Sequence, residues 1–302
     1  MSSSQRFGFF AGLCAYFIWG SLPLYIRAMR HVQPQELLAH RVVWSVPTAL
    51  LLIALAGNWK DVRAALRWNT AKWLILSGLV IAANWGVYIW AVNAGRTIEA
   101  SLGYFINPLV SVLFGMLFFA EKLRPAQWIA VAIATIGVGI VTLAYGHVPW
   151  ISLVLCMTFA FYGVIRKKVA VDSRAGFLME VLVLVPLALA WLAWFVQQPD
   201  GRPMGEGGWD IPLLIAAGPI TAFPLILFGL AAKRLKLSTV GMMQYIGPTI
   251  QFLIALLVFR EPFGSTHAIA FGLIWLALAV FTIDSMVGEA KARRLARSAR
   301  PI

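Results

Sequence analysis

The chain has 302 residues, of which 61% are hydrophobic and only 12% charged, and it contains 13 Trp and 19 Phe. A soluble domain of this size could not keep so much apolar surface away from water, so the composition excludes a soluble fold and indicates a membrane protein. The net charge of +13 does not indicate nucleic-acid binding, because Lys and Arg occur in short clusters between apolar runs rather than on one face or arm.

Ten apolar runs are long enough to cross the roughly 30 Å hydrocarbon core of a bilayer, which takes about 20 helical residues. In chain order the predicted spans are 7–26, 36–57, 72–94, 98–119, 125–145, 149–166, 176–196, 211–232, 238–259 and 265–287. The first run lacks the small-x-small cleavage site of a secretory signal peptide, so we expect it to be retained in the protein as a transmembrane helix. Cys14 and Cys156 lie inside apolar runs and are interpreted as packing residues.

The basic residues favour one orientation for these spans. With both termini on the same side, 19 of the 25 Lys and Arg residues lie on that side and five on the other, while Arg41 falls within a span. Cytoplasmic loops carry such an excess of positive charge. We therefore predict that both termini are cytoplasmic and that the basic tail, residues 288–302, contacts anionic lipid.

The second half of the chain repeats the first. A shift of 140 residues aligns Gly78 with Gly218, Pro108 with Pro248, and Glu121 with Glu261, without a gap. Because five crossings is an odd number, the second repeat enters the membrane from the opposite side, as in many transporters. We predict an all-α integral membrane protein whose ten transmembrane helices form two inverted repeats, 1–146 and 147–287, around a central cavity.

Each repeat has a proline within a predicted helix, Pro108 in the first and Pro248 in the second. Since proline has no N–H, each should kink its helix and leave a carbonyl acceptor free, that of Tyr104 and that of Gln244. Packing explains either proline alone equally well, but their recurrence favours a substrate cavity. The predicted cavity residues around the kinks are Tyr104, Asn107, Gln244 and Tyr245.

The third predicted span combines amides with large aromatic side chains, which are costly to expose to lipid. Asn84 and Tyr88 are four residues apart and should share a helix face. Trp85 could form a stacking wall beside them, and so could Trp19 in the first span, next to Gly20. Membrane tryptophans also serve as interfacial anchors or packing residues. We assign Trp19, Asn84, Trp85 and Tyr88 to the predicted substrate site.

Charged or titratable side chains near the membrane edge are candidates for gating or coupling, because burying an unpaired charge is expensive. These residues are His40, Arg41, Glu99 and Glu180. Arg41 and Glu180 occupy equivalent repeat positions at opposite faces, so we expect no salt bridge between them. Pairing with loops on their own side is the simpler role, whereas Arg41 could also bind an anionic group or gate the outer side. Proton coupling through His40 or Glu99 is a further hypothesis.

The sequence contains none of the patterns expected of an enzyme, such as paired Asp residues on one helix face, a His-Glu zinc motif or a phosphate-binding Gly-Lys motif. We therefore predict no catalytic residues, no metal and no cofactor. A membrane-embedded enzyme and a structural or sensory membrane protein remain the alternatives to a transporter, and the structural or sensory protein would not require an inverted duplication.

Five segments closely resemble the RarD subfamily of bacterial EamA-type transporters, in the drug/metabolite transporter superfamily. They are ELLAHRVVWS, NWGVYIWAVN, EASLGYFINPLVS, FAFYGVIRKK and LSTVGMMQYIGPT. The resemblance implies a permease of the bacterial inner membrane that exports small organic molecules, with chloramphenicol-type drugs and amino acids as candidate substrates. A proton or ion gradient is a candidate partner, independently of the resemblance. It supplies no binding-site motif, so the site residues above rest on the residue analysis.

Overall fold

The computed structural model of the chain describes residues 3–29, 31–93, 97–144, 150–199, 208–258 and 265–298, and every regular element in these ranges is an α-helix. The helices are α1 (Ser3–Ala28), α2 (Pro34–Ala56), α3 (Trp59–Ala65), α4 (Trp68–Asn93), α5 (Thr97–Phe119), α6 (Pro125–Ala144), α7 (Trp150–Lys168), α8 (Ser173–Phe195), α9 (Asp210–Arg234), α10 (Leu237–Met243), α11 (Ile246–Leu257) and α12 (Ser265–Ser298).

Each predicted span has a helical counterpart. Among the described helices, α1, α2, α4, α7, α8 and α9 are long and apolar enough to cross a bilayer, and α5, α6 and α12 contain shorter apolar stretches. The prediction of an all-α, multi-span membrane protein of about ten helices is confirmed. Two details differ from it, because the short helix α3 lies in a predicted break and the ninth predicted span is divided into α10 and α11.

Large apolar side chains are exposed on the outside of the bundle, among them Phe10, Leu55, Leu143, Leu187 and Ile283. A soluble protein rarely exposes apolar surface on this scale. Acyl chains accept such side chains, and the helical backbone satisfies its own hydrogen bonds in lipid. The exposed surface therefore agrees with the membrane assignment.

Helices from the two predicted repeats pack against each other in matching pairs. Helix α4 packs on α8 and α9 packs on α2, while α5 packs on α7 and α11 packs on α1. Two further contacts, α2 with α8 and α6 with α12, join helices that the repeat makes equivalent. Each of these contacts between a helix of the first repeat and a helix of the second is therefore matched by a contact between their two repeat equivalents. The boundary between residues 146 and 147 lies outside the described residues and stays a prediction.

Glycines mark two of these crossings. A Cβ atom at Gly78 in α4 would lie 3.0 Å from the carbonyl oxygen of Glu180 in α8. A Cβ atom at Gly218 in α9 would overlap the carbonyl group of Trp44 in α2. Small residues allow membrane helices to approach this closely. Since the predicted repeat aligns Gly78 with Gly218, the two crossings are equivalent positions.

The bundle has two ends. At the end where α5 finishes, Glu121 contacts Lys167 and Ser238, and we call it the Glu121 end. At the opposite end, where α9 begins, His31 Nε2 lies 2.8 Å from Asp210 Oδ1, and we call it the Asp210 end.

The two proline helices differ from each other. Helix α5 continues across Pro108, whereas the helix before Pro248 is interrupted at Gln244 and Tyr245. The carbonyl oxygen of Gln244 accepts a hydrogen bond of 3.1 Å from the N–H of Gly247. The expectation of a free acceptor at Gln244 is therefore wrong, because a tighter turn supplies the donor that Pro248 lacks.

Candidate functional site

Four of the predicted site residues come together in the half of the bundle near the Asp210 end. The guanidinium carbon of Arg41 in α2 lies 5.3 Å from the ring centroid of Trp85 in α4. The rings of Tyr88 in α4 and Tyr104 in α5 meet edge to face, with centroids 5.9 Å apart. This arrangement combines a fixed positive charge with aromatic surfaces.

Arg41 links the two predicted repeats. Its Nε donates a hydrogen bond of 2.8 Å to Thr221 Oγ1 in α9. Tyr25, Tyr88 and Tyr104 lie close enough to interact electrostatically with its guanidinium group. The side chain is partly exposed, and the ion pairs within the described ranges do not include it. Arg41 is thus held by a hydroxyl group and by rings.

Asn84 has a packing role in this structure. Its Nδ2 donates hydrogen bonds to the carbonyl oxygen of Leu155, at 2.8 Å, and to Thr158 Oγ1, at 2.9 Å. Both acceptors belong to α7, so the side chain joins α4 to that helix. The two N–H groups of Asn84 are therefore occupied, although the spacing predicts that it shares a face with Tyr88.

Asn107 and Gln244 are both buried. Asn107 is 2% exposed, and its Oδ1 is buried without a hydrogen-bond partner in the described structure. Gln244 is also buried, beside the break between α10 and α11. Tyr245, the other residue at the break, is fully buried, and its hydroxyl donates to the carbonyl oxygen of Phe105 at 3.1 Å. Tyr245 therefore links the break between α10 and α11 to α5 through a hydrogen bond.

Trp19 lies in an aromatic cluster between helices. Its ring centroid is 5.7 Å from that of Tyr16, 5.8 Å from Phe159 and 5.9 Å from Phe228. The rings come from α1, α7 and α9, so the cluster connects both predicted repeats. The contacts of Trp19 are those of a packing residue.

The remaining candidates are charged or titratable. Glu180 is 2% exposed and pairs with Arg166, whose Nη1 lies 3.1 Å from Glu180 Oε1. His40 is buried, with Nδ1 accepting from Trp44 Nε1 at 3.2 Å and Nε2 lying 4.0 Å from Glu36 Oε1. The predicted absence of an Arg41–Glu180 bridge agrees with these contacts. The side chain of Glu99 lies outside the described residues.

Sequence reasoning did not identify Arg166 as the partner of Glu180. The sequence places Arg166 at the start of a basic loop, whereas the structure places it in the last turn of α7 with 1% exposure. Its proximity to Glu180 depends on how α7 and α8 pack. Thr221, the hydrogen-bond partner of Arg41, was missed for the same reason, since no local pattern distinguishes it.

Glu121 is the centre of the polar contacts at its end of the bundle. Its carboxylate accepts hydrogen bonds from the N–H groups of Leu237, at 2.6 Å, and Ser238, at 3.0 Å, and from Lys167 Nζ at 3.2 Å. Leu237 and Ser238 begin α10, so the Glu121 carboxylate caps the first turn of that helix. The helix it caps is α10, which belongs to the other predicted repeat.

A separate cavity of about 440 Å³ lies between α4, α5 and α7 at the Glu121 end. Its lining residues are Asn69, Thr70, Trp73, Phe118, Phe161, Val164, Ile165, Lys168, Val169 and Ala170. None of the predicted site residues lines it. The cavity is therefore distinct from the group around Arg41.

Known proteins resemble the chain over almost its whole length. The profile of the EamA-like transporter family matches residues 6–143. An uncharacterized transporter of Vibrio cholerae is 44% identical, with 95% of each chain covered. Protein RarD of Salmonella typhimurium is 42% identical, covering 96% of this chain and 99% of that protein.

One solved crystal structure shares the fold with a TM-score of 0.72 and 22% sequence identity. The match covers 93% of this chain and 98% of that chain. The solved structure shows the fold, and the sequence relatives, at 42–44% identity, show the family. The chain belongs to the RarD subfamily of the EamA-like transporters, in the drug/metabolite transporter superfamily.

Proposed function

We propose that the protein is a secondary transporter of the bacterial inner membrane, which exports small organic metabolites or drugs by alternating access. The observation that carries this proposal is the recurrence of one helix crossing with the halves exchanged, α4 on α8 and α9 on α2. Two inverted halves can exchange conformations, so a site between them opens to each side in turn. The inverted repeats therefore supply the mechanism.

The polar residues between the halves supply the binding site. The buried Oδ1 of Asn107 has no partner in the described structure, and buried polar atoms normally have one. Gln244 lies at the break between α10 and α11, where the backbone departs from a regular helix. Interrupted helices commonly form the binding sites of transporters. Asn107 and Gln244, with Tyr104 nearby in α5, form the core of the proposed site.

The orientation follows from the distribution of basic residues, which favours cytoplasmic termini. The Glu121 end is then the cytoplasmic end, where Glu121 contacts Lys167, Leu237 and Ser238 of the other predicted repeat. These contacts favour a state that is closed towards the cytoplasm. A proton or ion gradient is the candidate energy source.

Reconstitution in liposomes tests the proposal. The purified protein should give saturable flux of at least one member of a panel of chloramphenicol, aromatic amino acids, amphipathic amines and aromatic carboxylates, with protein-free liposomes as the control. An absence of saturable flux across the panel would favour a membrane-embedded enzyme or a structural or sensory protein.

Single substitutions test the assignment of the site. We predict that Tyr104→Ala and Gln244→Ala each lower transport efficiency by roughly tenfold, equivalent to about 1.4 kcal/mol, without preventing membrane insertion. Leu143→Ala is the control, because Leu143 is 82% exposed on the lipid-facing surface of α6. Normal transport by both site variants would remove Tyr104 and Gln244 from the site.

A further inference from the structure

We propose that Arg41 binds the anionic group of the substrate and that the transported molecules are aromatic carboxylates. This inference rests on the proposed transport function and narrows its substrate class. Arg41 is seven residues beyond Pro34, where α2 begins, which corresponds to about 10 Å along the helix axis. It is therefore a positive charge well inside the bundle.

The guanidinium group has more donors than the protein uses. Arginine carries five N–H donors and stays charged at all relevant pH values. The hydrogen bond of Arg41 within the described residues runs from Nε to Thr221 Oγ1, and no carboxylate among those residues pairs with it. A cation held in a membrane span without an anion is costly. A bound substrate anion would remove that cost.

Glu180 occupies the position in the second repeat that is equivalent to Arg41, and its charge is fully compensated by other protein groups. Glu180 is 2% exposed and receives hydrogen bonds from Arg166, Ser77 and Tyr162. Its charge is compensated entirely by the protein. Arg41 has a hydroxyl partner on a neighbouring helix, as Glu180 has in Ser77, but it is partly exposed and is not compensated by a described carboxylate. This asymmetry distinguishes a ligand-binding charge from a structural one.

The surroundings of Arg41 specify the rest of the ligand. Trp85 lies under its guanidinium group, and the edge-to-face pair of Tyr88 and Tyr104 lies nearby. The hydroxyl of Tyr25 is already bonded to the carbonyl oxygen of Leu213, at 2.9 Å. Rings favour contact with another ring, and the two Nη atoms of arginine match the geometry of a carboxylate. Among the described residues Arg41 is the cation of this group, which favours a monoanion.

Binding measurements on the purified protein test this class directly. Phenylacetate, phenylacetamide and phenethylamine share a ring but are respectively negative, neutral and positive at neutral pH. Isothermal titration in detergent should show that phenylacetate binds at least tenfold more tightly than the other two. Because this comparison uses the wild-type protein, it does not depend on whether a variant folds.

Variants then locate the charge. Arg41→Gln should weaken phenylacetate binding at least tenfold, and Arg41→Lys should give an intermediate affinity, because lysine keeps the charge but loses the planar fork. Arg174→Gln is the matched control, because Arg174 lies at the Glu121 end beside Asp172. The Arg174→Gln protein should bind phenylacetate with the affinity of the wild type.

Three results would overturn the assignment. They are equal or tighter binding of the amide or the amine, no binding of any of the three compounds, and full affinity in a folded Arg41→Gln protein. Saturable flux of a neutral or cationic compound would then leave the transport function standing. Conversely, Arg41-dependent binding without flux of any panel compound would refute transport and retain the anion site.

Discussion

Glu180 and Arg166 form an ion pair in which neither side chain reaches solvent, with exposed fractions of 2% and 1%. Glu180 also accepts from Ser77 and Tyr162, and Arg166 Nη2 donates to the carbonyl oxygen of Ser173 at 2.9 Å. Each buried charge depends on the other for compensation. The pair therefore holds α7 and α8 in one arrangement at the Glu121 end.

We predict that Arg166→Gln lowers the free energy of unfolding by roughly 3–5 kcal/mol, because it leaves the Glu180 carboxylate buried without a cation. The double variant Arg166→Met, Glu180→Leu removes both charges and should lose much less. Thermal unfolding in detergent measures both effects, with Arg174→Gln as a partly exposed control. Wild-type stability in Arg166→Gln would contradict the prediction.

Glu121 lies in the connection between α5 and α6, and its ionisation is coupled to the fold. Burial raises its pKa, but hydrogen bonds from Ser238 and Leu237 and the charge of Lys167 outweigh burial, so the pKa lies below its ordinary value. A carboxylate with a lowered folded-state pKa stabilises the fold fully above its ordinary pKa. That contribution is lost as the pH falls through the lowered value.

We predict that Glu121→Gln lowers the thermal stability of the purified protein at neutral pH. The difference between wild type and variant should begin to shrink near the ordinary glutamate pKa of about 4, where the unfolded chain takes up a proton, and should be lost once the pH has fallen through the lowered folded-state pKa. Melting curves over a series of pH values measure this difference. A difference that stays constant through the acid range would mean that the charge of Glu121 does not stabilise the fold.

The sequence predicts a set of polar and aromatic residues for the candidate site, but it cannot predict every partner that these residues contact. Tyr88 and Tyr104 lie on consecutive long helices, α4 and α5, and their rings are in contact. The four-residue spacing places Asn84 on the same face as Tyr88, but a spacing cannot say that α7 presents Leu155 and Thr158 to its amide. Arg166 was missed because the last turn of a helix and a basic loop look alike in sequence.

At the level of the helices, the two equivalent prolines have different effects. Pro248 follows Gly247, and glycine has a low helix propensity, so the chain there forms a tighter turn and the span divides into α10 and α11. Pro108 follows Asn107, and α5 remains one helix. The sequence predicts a kink at each proline, but whether the kink becomes a break depends on the neighbouring residues and on packing.

The crossing of α2 and α9 depends on the absence of a side chain at Gly218. We predict that Gly218→Ala destabilises the protein by roughly 1–3 kcal/mol and impairs transport, because the added Cβ overlaps the carbonyl group of Trp44 and the helices must separate. Thermal unfolding and flux assays measure the two effects.

Gly139→Ala in α6 is the matched control, because a Cβ atom there meets nothing within 4 Å. It should be neutral or stabilise the helix by up to about 1 kcal/mol. Equal behaviour of the Gly218 and Gly139 variants would show that the crossing tolerates a wider separation and that the close contact is not required.

For the molecule as a whole, the helices that cross the membrane could be predicted because their length and apolarity are properties of continuous segments. The seven-residue helix α3 could not, since it lies in a polar connection too short to give a periodic pattern. The duplication was visible through its proline-to-glutamate spacing. The crossings of α4 on α8 and α9 on α2, in contrast, appear only when the helices are packed.

Contacts across the predicted repeats join the helices at the Glu121 end, where Glu121 of the first repeat pairs with Lys167 and accepts hydrogen bonds from Leu237 and Ser238 of the second. Near the Asp210 end, Arg41 remains partly exposed. With cytoplasmic termini, the charge proposed to bind the substrate would be reached from outside in this state. Its anion would then be released away from the cytoplasm.

The membrane potential would drive that release without a coupling ion. Moving one negative charge outward across an inside-negative potential is favoured by roughly 2.3 kcal/mol per 100 mV, equivalent to about a fifty-fold concentration ratio. We predict that a potassium diffusion potential, negative inside, accelerates the efflux of phenylacetate from proteoliposomes, after subtraction of leakage from protein-free liposomes. Arg41→Gln should abolish the acceleration. Efflux that responds to a pH gradient but not to the potential would mean that a proton compensates the charge, as the hypothesis for His40 and Glu99 requires.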